Sequence, residues 1–201
     1  MTQLKTFFDC ETTGLPAWKS PSEDPSQPHI VEIAALLCDE AGIIVDRFEA
    51  LIRPDGWIIT PEMTEIHGIS QEMAMDAGIS EAEAIEGFMA LHSRASLRVA
   101  HNITFDDRIV RIALMRYQDE ERANAFKDSS EKYCTCYRSR STVALPGNKL
   151  PNLGEAYQHF TGEPLAIVHR AMPDTLATRR IYHGLEGITP PIDEQPSHAV
   201  A

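Results

Sequence analysis

Cysteine is scarce in this sequence. The chain of 201 residues contains four, Cys10, Cys38, Cys134 and Cys136. Small secreted domains held together by disulfides are far richer in cysteine, so a disulfide framework is not expected. Cys134 and Cys136 are separated by one residue, which is not the usual spacing of a structural zinc site, and no C-x-x-C pair occurs. We therefore predict reduced thiols in a cytoplasmic protein.

Long hydrophobic runs are also missing. No window approaches the about 18 uninterrupted apolar residues that indicate a transmembrane helix. The first residues, MTQLKTFF, lack the basic region, apolar stretch and cleavage site of a secretory signal. These absences predict a cytoplasmic protein without membrane association. The length and a hydrophobic content of 43% fit one domain with a well-formed core.

Basic residues are few. Lysine and arginine number 18 against 30 acidic residues, which gives a formal net charge of -12. This balance argues against a protein that coats nucleic acid by charge alone. It does not exclude an enzyme that grips only a chain end through metal ions, because a metal-binding carboxylate cluster itself adds acidic residues.

Hydrophobic periodicity and turn residues predict an ordered series of strands and helices. Residues 4–11 read as a strand, and 29–39 with 43–54 read as an antiparallel hairpin. Residues 16–28 carry four prolines and therefore form a loop. Further helices are predicted at 61–70, 81–94, 105–117, 150–160 and 170–185, and short strands at 96–101 and 132–136. This order predicts a mixed α/β sheet covered by helices on both faces.

Asp9 and Glu11 end the first predicted strand. Because strand side chains alternate, both carboxylates point the same way and Cys10 points the other. Two like charges at a buried strand end repel each other and lose hydration. Hard divalent cations favour such clustered oxygen ligands, and no lysine or arginine is close in sequence. A metal site is one interpretation, and a solvated carboxylate pair at a strand exit is the other.

Two further stretches combine acids with helix starts. In residues 100–107, AHNITFDD, Asp106 falls in the first turn of a helix, where the helix dipole favours an acid. In residues 169–178, HRAMPDTLAT, His169 precedes a helix that contains Asp174, and histidine can change its charge near neutral pH. Each stretch alone also fits ordinary helix-start residues. Their conjunction with the first pair is what indicates chemistry.

Three stretches, far apart in the chain and in a fixed order, resemble a known set of motifs. They are FFDCETTGLP, AHNITFD and HRAMPDTLAT. Together they resemble the D-x-E-T-T-G, H-N-x-x-F-D and H-x-A-x-x-D motifs of the DnaQ-like 3′–5′ exonucleases of the DEDDh type. The resemblance covers about residues 4–183 and includes HGIS at 67–70. It implies a ribonuclease H-like fold with a mixed five-stranded sheet and an exonuclease domain over 1–184. The residues after this domain are polar and rich in proline, which predicts a flexible tail over 185–201.

The resemblance also implies residue roles. The expected ligands of two divalent metal ions, Mg²⁺ or Mn²⁺, are Asp9, Glu11, Asp106 and Asp174. His169 is expected to act as the general base that takes a proton from the attacking water. Asp106 is preferred to Asp107 because the family acid directly follows the phenylalanine.

A second group of residues is implied to line the pocket of the terminal nucleotide. Its members are Thr12, Gly14, Leu15, His67, Asn102 and Phe105. The Thr12–Gly14 turn is expected to leave backbone amides free beside the scissile phosphate. His101 is expected to support the site structurally.

The implied reaction is the release of 5′-nucleoside monophosphates from single-stranded or frayed DNA 3′ ends by a two-metal mechanism. The ETTG run resembles the DNA-directed members, in a polymerase or repair complex. The alternatives are an RNA-trimming exoribonuclease of the same family and a non-catalytic nucleic-acid-binding or polymerase-docking module. All five chemical positions are present, which favours an enzyme.

Two surface features have open interpretations. Trp18, in the proline-rich loop, either stacks on a base or anchors the loop. Arg138, Arg140 and Lys149 either track phosphates or form a solvated surface.

Overall fold

A mixed sheet lies at the centre of this computed structural model, which describes residues 3–166 and 169–189. In the described residues its strands are β1 (Lys5–Thr12), β2 (Ile30–Cys38), β3 (Ile44–Leu51), β4 (Leu97–Ala100) and β5 (Glu131–Cys134). Their order is β3-β2-β1-β4-β5. The pairs β1–β2 and β2–β3 are antiparallel, whereas β1–β4 and β4–β5 are parallel. The predicted fold class, including the antiparallel hairpin, is confirmed.

Helices fill the connections between the strands. They are α1 (Pro61–His67), α2 (Gln71–Ala77), α3 (Glu81–His92), α4 (Ile103–Tyr117), α5 (Glu120–Asp128), α6 (Thr135–Val143), α7 (Leu153–Thr161) and α8 (Ala171–Glu186). The predicted capping box of α3 is present, with Ser80 and Glu83 each bonded to the other's backbone N–H. Among the described residues, no helix combines the length and apolar character needed to cross a membrane. Residues 190–201, most of the predicted tail, lie outside the described residues.

The sequence pattern missed α2, α5 and α6. Helix α5 buries only Ala123 and Phe126, too few side chains to produce a visible apolar period. The strand predicted at 132–136 is wrong at its end, because β5 stops at Cys134 and α6 begins at Thr135. Such short helices owe their stability to packing on the fold more than to their own sequence.

The alternation of β1 side chains divides the core into two layers. Phe8 packs in the cluster that includes Phe88 of α3, Val110 of α4 and Phe126 of α5. Phe7 points to the other face, where its ring meets Tyr182 of α8 edge-on at 5.3 Å between centroids. Helices therefore cover both faces, as predicted.

The topology brings the three motifs to one edge of the sheet. Strands β1 and β4 are parallel neighbours, so their carboxyl ends lie side by side. The first of these ends carries the residues around Asp9, and the second leads directly into the first turn of α4. Helix α8 packs across β1 and β2, with its first turn at the same edge.

Candidate active site

Carboxylates from three elements meet at the end of β1. Asp9 and Glu11 are half-buried on the strand, and Asp106 in the first turn of α4 is 2% exposed. The Cys10 N–H donates to Asp106 Oδ1 at 3.2 Å, which fixes α4 against β1. Asp174 comes from the first turn of α8. The structure thus brings together the four predicted acids, although they are up to 165 positions apart (174 − 9 = 165).

The predicted base joins this cluster from the loop before α8. Ligand atoms of Glu11, His169 and Asp174 all lie within 4.8 Å of one another. His169 is exposed and has a φ of 41°, a left-handed conformation that is uncommon outside glycine. An imidazole placed this way is open to water on one side and to the carboxylates on the other.

Burial and mutual repulsion raise the pKa values of the clustered carboxylates. Burial, and then the charges of Asp106, Asp174 and Glu11, raise the pKa of Asp9 well above its ordinary value. Burial, and then repulsion from Asp174, raise the pKa of Glu11 to about 8. Burial raises the pKa of Asp174 to about 6, although nearby His169 acts in the opposite direction. The ionised cluster is therefore unfavourable without added positive charge.

The donor set fits divalent metal ions. None of Asp9, Glu11, Asp106 and Asp174 forms an ion pair with a lysine or arginine in the described parts of the chain. Clustered carboxylate oxygens are the preferred ligands of hard cations such as Mg²⁺. A cation held among them would offset the repulsion that raises their pKa values.

Asp107, the neighbour of Asp106, is in a different environment. Its carboxylate accepts from Arg98 at 2.8 and 3.2 Å and pairs with Lys132. Arg98 is fully buried, so Asp107 neutralises a charge of the protein itself. This geometry supports the choice of Asp106 as the metal-facing acid.

Glu32 and Arg170 lie beside the site and were not singled out from the sequence. Glu32 is fully buried on β2, directly opposite Glu11 in the strand register. Its carboxylate accepts three contacts from the Arg170 guanidinium at 2.6 to 3.1 Å and one from the Ala171 N–H at 2.8 Å. The pair fastens the start of α8, and therefore Asp174, to the sheet. The available signal was one acid within the apolar run IVEIAALLC, since a buried charge requires a partner.

The turn after β1 corrects one expectation. The Thr13 N–H donates to the His29 carbonyl at 3.0 Å, and the Gly14 N–H points to Thr12 Oγ1 at 3.4 Å. These amides are not free, so the expected amide cradle for the scissile phosphate is wrong. The turn instead presents Leu15, which is 80% exposed.

The other predicted pocket residues have distinct roles in the structure. His67 is buried, its Nδ1 accepts from the Ile69 N–H at 3.1 Å, and its Nε2 has no partner within the described residues. Because Nδ1 is an acceptor, the neutral ring carries its proton on the unpaired Nε2. Asn102 is exposed in a left-handed conformation (φ 71°) and its side chain makes no capping bond. Phe105 is half-buried and packs against the core.

His101 is held entirely by the protein. Its Nδ1 lies 2.9 Å from Thr135 Oγ1, and its Nε2 lies 3.1 Å from the Pro151 carbonyl. Burial lowers the pKa of His101 to about 4, so the ring is neutral. These contacts fit the expected structural role.

The fold is a ribonuclease H-like α/β fold, as the motifs implied. A family model described as Exonuclease (RNase T) matches residues 6–182. The chain belongs to this exonuclease family. The match confirms the family resemblance drawn from the three motifs.

Individual relatives extend the comparison. The chain is 29% identical over 172 residues to the PolC-type DNA polymerase III of Pediococcus pentosaceus, covering 86% of this chain and 10% of that protein. Its fold resembles E. coli exonuclease I in complex with a dA16 oligonucleotide, with a TM-score of 0.73, 18% identity and coverage of 93% of this chain and 41% of that one. A zinc-bound complex of the same E. coli enzyme with single-stranded DNA gives a TM-score of 0.71 at 20% identity, with coverage of 93% and 41%. The chain thus spans a tenth of the polymerase and about two fifths of exonuclease I.

Proposed function

We propose that this protein is a metal-dependent 3′–5′ exonuclease that removes 5′-nucleoside monophosphates from single-stranded or frayed DNA ends. The observation that carries the proposal is the convergence of Asp9, Glu11, Asp106 and Asp174 beside His169, with no lysine or arginine in ion-pair contact with these acids in the described residues. Family membership supports the reaction class. Structural neighbours that hold DNA oligonucleotides support the substrate. The active unit is the domain over residues 1–184.

The four acids are the proposed ligands of two divalent ions, Mg²⁺ or Mn²⁺. When bound, such ions supply charge stabilisation for both the attacking and the leaving oxygen of an in-line phosphoryl displacement. Asp9 lies centrally, because each of the other three carboxylates acts on its pKa. Glu32 and Arg170 hold the first turn of α8 in place, so Asp174 stays within reach of Glu11.

His169 is the proposed general base. It accepts a proton from the attacking water and, because it is exposed, passes that proton to solvent. The phosphodiester bond to the terminal nucleotide breaks as the new P–O bond forms, and the shortened strand keeps its 3′-oxygen. A neutral ring is required at the start, since an imidazolium cannot accept the proton.

The proposed terminal-nucleotide pocket lies around the turn after β1. Exposed Leu15 offers an apolar surface for a base or sugar, and Thr12, Gly14, Asn102 and Phe105 are the other proposed pocket residues. The unpaired His67 Nε2–H is a donor for a sugar or phosphate oxygen. We place the protein in the cytoplasm and in a polymerase or repair context, with the four cysteines as free thiols.

A gel assay tests this proposal. The full chain is incubated with Mg²⁺ or Mn²⁺ and a 5′-labelled single-stranded DNA, with the matching RNA alongside and Asp9→Ala as the control. A ladder shortening from the 3′ end, with nucleoside 5′-monophosphate as product and no ladder for the variant, is the expected result. Faster loss of the RNA would instead identify an RNA-trimming enzyme. Binding of DNA without cleavage would identify a non-catalytic module.

A further inference from the structure

We propose that a basic cleft beside the active site binds the phosphates and a stacked base of the strand that leads to the scissile nucleotide. This inference rests on the proposed nuclease function and adds a site for single-stranded nucleic acid. The cleft has a volume of about 210 Å³. Its walls include Trp18, Thr104, Arg108, Arg111, Lys127 and Lys132, together with the acid Asp107.

The cleft lies along α4, the helix that carries Asp106. Thr104 lies in the first turn of α4, two residues before Asp106. Thr104, Arg108 and Arg111 are spaced by four and three residues, so they follow one face of the helix. At about 1.5 Å of rise per residue, this face extends about 10 Å away from the catalytic end. A strand whose 3′ end reaches the acids can therefore run along it.

Two cations of the cleft, Arg108 and Arg111, have no carboxylate partner among the described residues, whereas Lys132 pairs with Asp107. Arg108 donates to the Ser20 carbonyl at 2.6 Å, and Arg111 donates to Asn124 Oδ1 at 2.8 Å. Neither forms an ion pair in residues 3–166 and 169–189, and the Nε of each is buried without a hydrogen-bond partner there. Burial, and then the charge of Arg111, lower the pKa of Arg108. Two uncompensated guanidiniums side by side form an anion site.

The acidic groups nearby do not cancel this charge. Asp107 forms ion pairs with Arg98 and Lys132. Glu23 is exposed and acts on Arg108 without a direct ion pair. Lys127 is exposed and adds a further cation at the rim. In a chain with a net charge of -12, this local excess of positive charge matches a phosphate backbone.

The loop over 16–28 supplies the aromatic wall. Gln27, only 2% exposed, organises this loop through bonds to the Ala17 and Pro21 carbonyls at 3.1 and 2.8 Å and accepts from the Ala17 N–H at 3.0 Å. Trp18 therefore projects from an ordered loop, with 54% of its surface exposed. Exposed aromatic rings beside basic grooves stack on bases in single-strand binders. This placement favours stacking over a role as loop anchor.

The alternative basic group is engaged within the protein. Arg140 donates to the Asn148 carbonyl at 2.8 Å, and Lys149 pairs with Glu155 at 3.3 Å. The Arg138 guanidinium lies over the Tyr133 ring, 5.0 Å from its centroid. Lys149 is thus neutralised by a carboxylate, whereas Arg108 and Arg111 form no ion pair among the described residues, and this difference favours their cleft as the phosphate-tracking surface.

The test combines two substrates and two double variants of the full chain. Arg108→Gln/Arg111→Gln should raise KM for a single-stranded DNA about 10-fold or more and lower the slope of log KM against log salt by about 1.4, because two phosphate contacts are lost. Hydrolysis of the p-nitrophenyl ester of thymidine 5′-monophosphate, which has no upstream strand, should not change. Arg47→Gln/Arg94→Gln removes the same charge beside β3, at the opposite edge of the sheet, and should leave KM unchanged.

Each outcome is informative. An unchanged KM and salt slope, or an equal loss on the nitrophenyl ester, overturns the cleft as a strand-binding site. A wild-type protein that hydrolyses neither substrate overturns the nuclease proposal itself. If Arg108→Gln/Arg111→Gln does not fold, Trp18→Leu/Lys127→Gln changes two exposed residues and should show the same split between the two substrates.

Discussion

Two adjacent aspartates on α4 have opposite surroundings. Asp106 lies near the carboxylates of Asp9 and Glu11 and forms no ion pair with a described residue, whereas Asp107 pairs with Arg98 and Lys132. Their burial is nearly equal, at 2% and 8% exposed, so burial does not distinguish them. What differs is the source of positive charge. Asp107 has its counter-charges within the protein, whereas Asp106 has no such partner and, on the proposed function, receives positive charge from bound metal ions.

The largest expected effect is a difference in catalytic activity between variants of Asp106 and Asp107. Asp106→Asn should lower kcat/KM on DNA by about 1,000-fold, since a catalytic metal supplies several kcal/mol and about 1.4 kcal/mol corresponds to tenfold. Asp107→Asn is the matched control and should remain close to the wild-type rate per folded molecule. Steady-state hydrolysis in Mg²⁺ measures both. Equal losses of kcat/KM in the two variants would contradict the assignment of Asp106 as the catalytic acid and Asp107 as the structural one.

In stability the two variants should rank the other way: Asp107→Asn should be the more damaging change. Asp107→Asn leaves the buried Arg98 guanidinium without its counter-charge, and loss of one partner of a buried pair costs about 3 kcal/mol. Asp106→Asn removes a repulsive charge and should not destabilise the metal-free protein. Urea unfolding in EDTA provides the free energies. A destabilised Asp106→Asn beside an unaffected Asp107→Asn would contradict the structural role given to Arg98 and Lys132.

His169→Ala tests whether His169 is the general base or a metal ligand. Loss of a general base should lower kcat about 100-fold. The four carboxylates remain, so Mn²⁺ should still raise the melting temperature of the variant, as it does for any protein whose folded state binds the ion. If the variant loses that shift, His169 is a ligand rather than the base, an arrangement that its proximity to Glu11 and Asp174 also permits.

The remaining expected effect is a pH dependence of stability. The folded-state pKa of Glu11 is raised to about 8. Its ordinary value is about 4.3, so the metal-free folded protein binds the proton more tightly and loses stability as pH rises between the two values. Relative to Glu11→Gln, wild type should become less stable between about pH 4.3 and about pH 8, and saturating Mg²⁺ should abolish this loss. Urea unfolding of both proteins checks it, and a gap that closes with rising pH in EDTA would contradict the sign.

Much of the fold could be predicted from local pattern. The hairpin of β2 and β3 follows from two apolar runs around a turn at Gly42, and α3 follows from the Ser80 capping box. Helices α5 and α6 could not be predicted, because neither has enough buried side chains to show a period. Their positions depend on contacts made after the sheet has formed.

The site divides in the same way. The resemblance to the three family motifs implied Asp9, Glu11, Asp106 and Asp174, and the structure brings these acids together at one edge of the sheet. The Glu32–Arg170 pair joins residues 138 positions apart, and no local sequence pattern predicts such a contact. The hydrogen bond from the Thr13 N–H could not be predicted either, because its acceptor, the His29 carbonyl, lies in the segment that leads into β2.

The most direct test of this account is a crystal structure with Mn²⁺, with the ion located by its anomalous scattering. We predict manganese within about 2.5 Å of carboxylate oxygens of Asp9 and its three partner acids, while Asp107 stays paired with Arg98 and Lys132. Manganese bound elsewhere, or Asp106 paired with a lysine or arginine of the protein, would contradict the central claim that this cluster takes its positive charge from outside.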